Sequence, residues 1–281
     1  MLSAALGQNG SSRIPAPAAT WADKSLPSTT PPNTRPILVH ASYCYIDTVL
    51  YRIYVRLLKL LAWILLNVGI FGMMLFVPAG TIGWWRAWVF IGVVFFAVFA
   101  IAVDVLAQSE GLLNERLRSP LQKGQPLVDK IIVLLCLVTW GGLICFIPLD
   151  VFRFHLLRTP GFLASFLGLM LVVVGWGIIY LSYKENAFAA PVVRHQKERQ
   201  QEVVASGVYG LVRHPMYAGG SLGWIGVSLW LGSYAAALLT IVPIGTIALR
   251  ILFEEQFLRH ELQGYDAYSE RVRYRLMPFI W

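Results

Sequence analysis

Apolar side chains run along this chain in long blocks separated by short polar intervals. Six runs, at about 58–78, 85–107, 131–149, 161–182, 216–233 and 235–253, approach the ~20 residues that a helix needs to cross a hydrocarbon core. They predict an all-α, polytopic membrane protein with six transmembrane helices. Pro78, Gly80, Gly83, Trp84 and Trp85 mark a tight turn between the first two runs, with tryptophans suited to the headgroup level. Only Gly232, Ser233 and Tyr234 join the last two, so these must form an antiparallel helical hairpin.

The flanking segments read differently. Residues 1–42 are rich in Pro, Ser, Thr and Ala without apolar periodicity, and are expected to be a disordered tail. In 43–57, Ile46, Leu50, Ile53, Tyr54 and Leu57 share one helical face and Arg52, Arg56 and Lys59 another, which predicts an interfacial amphipathic helix. Residues 58–281 form the membrane domain. At its end, Tyr265, Tyr268 and Tyr274 alternate with Arg271, Arg273 and Arg275, predicting a cytosolic amphipathic lid over 261–281.

Composition agrees. Of 281 residues, 57% are hydrophobic and only 14% charged, where a soluble domain of this size carries about 25%. The net charge of +8 raises the question of nucleic acid, but the basic residues flank the apolar runs rather than forming a patch with aromatics. Six spans put 19 of the 23 Lys and Arg residues on the face holding both termini and three on the other, which predicts cytoplasmic termini. The membrane would be the endoplasmic reticulum in a eukaryote or the inner membrane in a bacterium. Cys44, Cys136 and Cys145 lack metal or redox spacing, and no metal site is expected.

Polar groups inside lipid are costly, about 2.5–3.5 kcal/mol for Asp, Lys or Arg at a helix centre, so each asks for a reason. Asp104, Lys184 and Glu185 sit at span ends, where they reach water. Arg250, Glu254 and Glu255 interrupt an otherwise apolar stretch. Arg250 and Glu254 are i and i+4 and can pair; Glu255 is turned by about 100°, needs a partner elsewhere, and a cationic ligand is one candidate. A salt bridge closing the helix is the alternative. The second cluster, Ser206 to Tyr217, includes Arg213-His214-Pro215-Met216-Tyr217. Pro215 disfavours helix at His214 and suits the first turn of the next span. Guanidinium, imidazole and helix N-terminus then form a site for a carboxylate or phosphate. The hairpin brings the cationic rim and the acidic rim together, a match for a zwitterion such as S-adenosylmethionine. No G-x-G-x-x-G, P-loop, H-E-x-x-H or G-x-S-x-G is present, which excludes a soluble Rossmann-type methyltransferase.

These residues resemble the isoprenylcysteine carboxyl methyltransferase and phospholipid methyltransferase superfamily of membrane enzymes. The resemblance rests on Val204-Ala205-Ser206-Gly207-Val208-Tyr209, Arg213 to Gly219, the pair Glu254-Glu255, and Gly264-Tyr265-Asp266-Ala267-Tyr268 through Trp281. It implies an S-adenosylmethionine-dependent methyltransferase whose cofactor-binding part is 185–281. Gln201, Glu202, Val203, Val204, Tyr209, Arg213, His214, Pro215, Met216, Tyr217 and one or both of Glu254 and Glu255 would hold the cofactor, while Arg250 faces the acceptor. His214 would serve as the base if the acceptor were an amine or hydroxyl. The acceptor is expected to be lipophilic or prenylated, reached from the bilayer; a phospholipid amine and a small thiol are the alternatives. The chain lacks the additional spans of the eukaryotic prenylcysteine enzyme. A sterol-reductase-like enzyme using NADPH and a non-enzymatic membrane scaffold are the rival readings.

Overall fold

The computed structural model describes residues 35–107, 125–186, 188 and 202–281. The residues described from Arg52 to Trp281 belong to one compact unit, which carries everything that follows. Helices α1 (Arg35–Ala79), α2 (Trp85–Ala107), α3 (Leu127–Leu149) and α4 (Phe162–Glu185) are followed by a 3-10 turn (Gly207–Gly210). Helices α5 (Pro215–Leu231), α6 (Tyr234–Leu239), α7 (Ile241–Glu261) and α8 (Tyr265–Arg271) complete the order. A π-helical turn, Asp150–Phe154, extends α3. There is no strand among the described residues.

Five segments are long and apolar enough to cross a membrane: Tyr54–Ala79, Trp85–Asp104, Leu127–Phe154, Phe162–Glu185 and Tyr234–Glu261. The remaining expected span, the fifth, is α5, which at 17 residues is about 26 Å long and is the shortest of the six. Its composition explains its place. Gly219, Gly226, Ser221 and Ser228 are buried along it, and it lies flush against α4. A Cβ on Gly175 would come 2.5 Å from the Gly219 carbonyl oxygen, and one on Gly226 would come 2.6 Å from that of Gly168. Backbone contact this close requires glycine on both helices.

The turns are as the sequence predicts. Gly80 closes α1 at φ 71°, and Trp84 is buried edge-on to Phe152 at 5.1 Å. Gly232, at φ 104°, ends α5, and the Ser233 hydroxyl accepts from the Ala236 amide at 2.8 Å to start α6. That hydroxyl donates to the buried Asp150 carboxylate at 2.6 Å, which also accepts from the Leu156 amide. One carboxylate thus ties the α5–α6 turn to the end of α3. The core between α1, α2, α3, α4 and α5 is filled by Leu75, Val94, Ile147, Val172 and Leu231.

Two boundaries move. The third expected span, 131–149, begins at Leu127 instead, so Asp129 lies in the first turn of α3 and is wholly buried. The expected lid over 261–281 is helical only at Tyr265–Arg271; beyond it the chain folds back, and the amides of Arg275, Leu276 and Met277 donate to the carbonyl of Trp281.

Candidate functional site

The turn at Gly232 carries the N-terminus of α5 back beside the C-terminal half of α7. His214 Nε2 lies 3.3 Å from Glu255 Oε1, so the juxtaposition expected from the short connection is present. Its internal pairing differs from expectation. Arg213 Nε donates to Glu255 Oε1 at 2.7 Å, with both side chains about 95% buried. Arg275 Nε donates to Glu255 Oε2 at 3.0 Å. Arg213 Nη1 also donates to the carbonyls of Ser269, Val272 and Arg273 at 2.8–3.2 Å. Glu255, expected to lack a local partner, is therefore held by three side chains, and the Arg213 guanidinium is engaged by the protein itself.

The backbone reinforces this. The amides of Arg213 and His214 donate to the carbonyls of Tyr274 and Arg275 at 2.9 Å, pinning the C-terminal segment across the start of α5. Non-helical backbone at His214, forced by Pro215, leaves these two amides free for that purpose. Arg213, Glu255 and the C-terminal segment form one lock of charge-assisted hydrogen bonds.

Glu254 is different. It is half-buried, and its Oε2 accepts from the Tyr217 hydroxyl at 2.7 Å. The same hydroxyl accepts from Arg250 Nε at 2.8 Å, so one phenol bridges the guanidinium and the carboxylate that were expected to face each other. The His214 ring stacks on Tyr217 at 5.7 Å and 17°. On its far side Arg250 Nη1 meets Asp129 Oδ1 at 3.6 Å, and Asp129 Oδ2 accepts from Gln125.

Three buried tyrosines stand near the two glutamates, Tyr209 and Tyr265 by Glu254 and Tyr268 by Glu255. Tyr209, deeply buried, has its phenol held above its ordinary pKa by burial, opposed by a hydrogen bond from Asn186 and supported by the Glu254 charge. The Tyr268 hydroxyl donates to the Tyr209 carbonyl at 2.8 Å, and burial pushes it up to about 12. Tyr265 is raised by burial and then by the Glu255 and Glu254 carboxylates. Its hydroxyl is buried without a hydrogen-bond partner, and an orphaned buried donor of this kind marks a place prepared for a ligand or water.

Of the remaining expected residues, Glu202 is exposed, Val204 and Met216 are half-buried and Pro215 is buried. Val203 packs on Leu262, Tyr265, Tyr268 and Val272. Gln201 lies outside the described residues. Sequence reasoning missed Tyr265, Arg275 and Asp129. Tyr265 and Arg275 stood in view as parts of a lid, and Asp129, two residues ahead of an apolar run, read as a loop residue. An apolar cavity of about 300 Å³ between the helices is lined by Phe71, Trp140, Trp176, Gly219, Gly223 and Trp224, and Trp224, like Tyr217, packs against the cluster of Ile247, Ile251 and Leu276.

Comparison with known proteins finds similarity to methyltransferases over part of the chain. A family model described as phospholipid methyltransferase matches residues 163–263, the stretch from α4 to the end of α7. Two curated relatives, both named probable protein-S-isoprenylcysteine O-methyltransferase, come from Oryza sativa subsp. indica and subsp. japonica. Each is 32% identical over 119 residues, which cover 41% of this chain and 62% of the relative. The chain thus spans about three fifths of the length of the curated relatives it matches.

Proposed function

We propose, on the premise that residues 163–263 match the phospholipid methyltransferase family and that curated relatives named as isoprenylcysteine O-methyltransferases share 32% identity with part of this chain, that the protein is an S-adenosylmethionine-dependent methyltransferase. Its acceptor is lipophilic, of the prenylcysteine carboxylate kind. The observation that carries this reading is the half-buried Glu254 carboxylate, fixed by Tyr217 and close to the orphaned Tyr265 hydroxyl.

The cofactor fits what is there. Glu254 offers an acceptor for an ammonium group or ribose hydroxyls, and the Tyr265 hydroxyl offers a donor that otherwise has no partner. Tyr209 and Val203 supply apolar wall. Glu255 is taken up by Arg213 and Arg275, so of the two acids Glu254 is assigned to the cofactor and Glu255 to the frame. Arg213 belongs to the frame with it. When bound, the cofactor supplies an electrophilic methyl group on a sulfonium. The protein's part is to position and to exclude water. Arg250, held by Tyr217 and Asp129, presents its guanidinium to an acceptor carboxylate; a carboxylate nucleophile needs no general base. His214 has Nε2 on Glu255 and its ring against Tyr217, which makes it an orienting group for that phenol.

The apolar cavity lined by Trp224, Trp140 and Trp176 supports a lipophilic acceptor, since its walls suit a hydrocarbon chain. The distribution of Lys and Arg supports cytoplasmic termini. The relatives' name favours a prenylcysteine acceptor over a phospholipid amine or small thiol. The test is to incubate detergent-solubilised protein with methyl-labelled S-adenosylmethionine and, in turn, N-acetyl-S-farnesylcysteine, phosphatidylethanolamine and a short alkyl thiol. Label should enter the farnesylcysteine ester. Label in either other acceptor overturns the acceptor assignment, and label in none overturns the enzyme assignment.

A further inference from the structure

We infer that Asp129 is a positioning residue of the cofactor site, whose charge holds Arg250 away from Glu254 and so leaves that carboxylate open to a cationic ligand. This rests on the methyltransferase reading above. Asp129 is fully buried in the first turn of α3, and neither the sequence pattern nor the matched segment 163–263 includes it. A carboxylate inside a membrane helix is costly and marks function unless its partner accounts for it.

Its partner only half accounts for it. Asp129 Oδ1 faces Arg250 Nη1 at 3.6 Å, an ionic contact longer than a hydrogen bond, and that oxygen accepts no hydrogen bond. A pair built solely to glue α3 to α7 would close to direct contact, because buried pairs repay their desolvation only with good geometry. Here the guanidinium is instead drawn between two acids. Asp129 attracts Nη1, while Nε donates to Tyr217, which donates to Glu254. Arg250 and Glu254 are one helical turn apart on α7, the spacing at which such side chains pair directly. The attraction of Asp129 works against that collapse.

Charge leads to the same place. Asp129, Glu254 and Arg250 together carry one surplus negative charge, the complement of a ligand with net charge +1. Neutralising Asp129 removes the surplus and frees Arg250 to quench Glu254. Neutralising Arg250 as well restores the surplus and removes the competitor. A merely structural pair also recovers when both partners are neutralised, because the uncompensated buried charge goes with them, but it loses affinity only together with stability; a positioning role lowers affinity in Asp129→Asn at a melting temperature near that of wild type.

The experiment is calorimetric titration of S-adenosylmethionine into wild type, Asp129→Asn and the double variant Asp129→Asn, Arg250→Gln, each in detergent, with a melting curve for each. The expected result is affinity lowered by about tenfold or more in Asp129→Asn, with recovery to within about threefold of wild type in the double variant. Affinity unchanged in Asp129→Asn, or a double variant no better than the single one, overturns the assignment. So does a loss of affinity in Asp129→Asn that merely follows a collapsed melting temperature. A wild-type protein that binds no S-adenosylmethionine overturns the methyltransferase reading and this inference with it.

Discussion

Two adjacent glutamates have opposite fates because successive residues on a helix point about 100° apart. Glu255 faces Arg213 and is sealed; Glu254 faces Tyr217 and stays half-open. Glu255→Gln breaks a buried ion pair with Arg213 left uncompensated, a loss of about 3–5 kcal/mol, so a marked fall in melting temperature is expected. Glu254→Gln should leave the melting temperature within a few degrees of wild type and weaken S-adenosylmethionine binding about tenfold or more. Differential scanning and calorimetry on both variants check this. Tyr265→Phe separates the two roles again: it deletes an orphaned hydroxyl, so stability should hold or rise, while cofactor affinity falls. The sequence made both glutamates visible, but its i to i+4 arithmetic paired Glu254 directly with Arg250 and could not see that Arg213, 42 positions away, would reach Glu255.

Alkaline pH gives a further expectation. Tyr268 is raised by burial from about 10 to about 12 in the folded protein. Its neutral phenol therefore contributes stability in full below pH ~10, and that contribution is lost as pH climbs through ~12. Phenolate absorbance should show Tyr209, Tyr265 and Tyr268 ionising after the exposed tyrosines, together with loss of the folded state. Simultaneous ionisation of all tyrosines with the fold intact would contradict their burial.

Helices α4 and α5 show what backbone proximity demands. Gly175 faces the Gly219 carbonyl so closely that a Cβ would sit 2.5 Å away, whereas a Cβ on Gly220 meets nothing within 4 Å. Gly175→Val should thus force the helices apart, lower the melting temperature sharply, and displace Arg213 and His214 at the start of α5. Gly220→Ala should be nearly silent. Circular dichroism melts of the two distinguish packing from simple helix propensity, which would favour substitution at both. The hairpin itself was legible from Gly232, Ser233 and Tyr234 alone, because three residues leave no alternative to an antiparallel return. The start of α3 was not: Leu127 and Val128 precede Asp129, and a single acid there reads as loop unless its buried partner is known.

Across the molecule, apolar run length was enough to give a fold that is helical among the described residues, with five segments long and apolar enough to cross a membrane. It was less able to size α5, because a helix buried against α4 is read by hydropathy in the same way as one bathed in lipid. The C-terminal segment illustrates a second limit. It was expected to cover the site as an amphipathic lid; in the structure its carbonyls at 269, 272 and 273 receive the Arg213 guanidinium, so it is built into the frame. Such long-range backbone pairing leaves no periodicity to read. The site as a whole is then a rigid ionic lock at Glu255 supporting an open acceptor at Glu254.

The most direct measurement is a calorimetric titration of the solubilised wild-type protein with S-adenosylmethionine and separately with NADPH, repeated for Glu254→Gln. Saturable binding of S-adenosylmethionine, no heat with NADPH, and a loss of about tenfold or more in the variant are predicted. Binding of NADPH, or S-adenosylmethionine binding untouched by Glu254→Gln, would contradict the site.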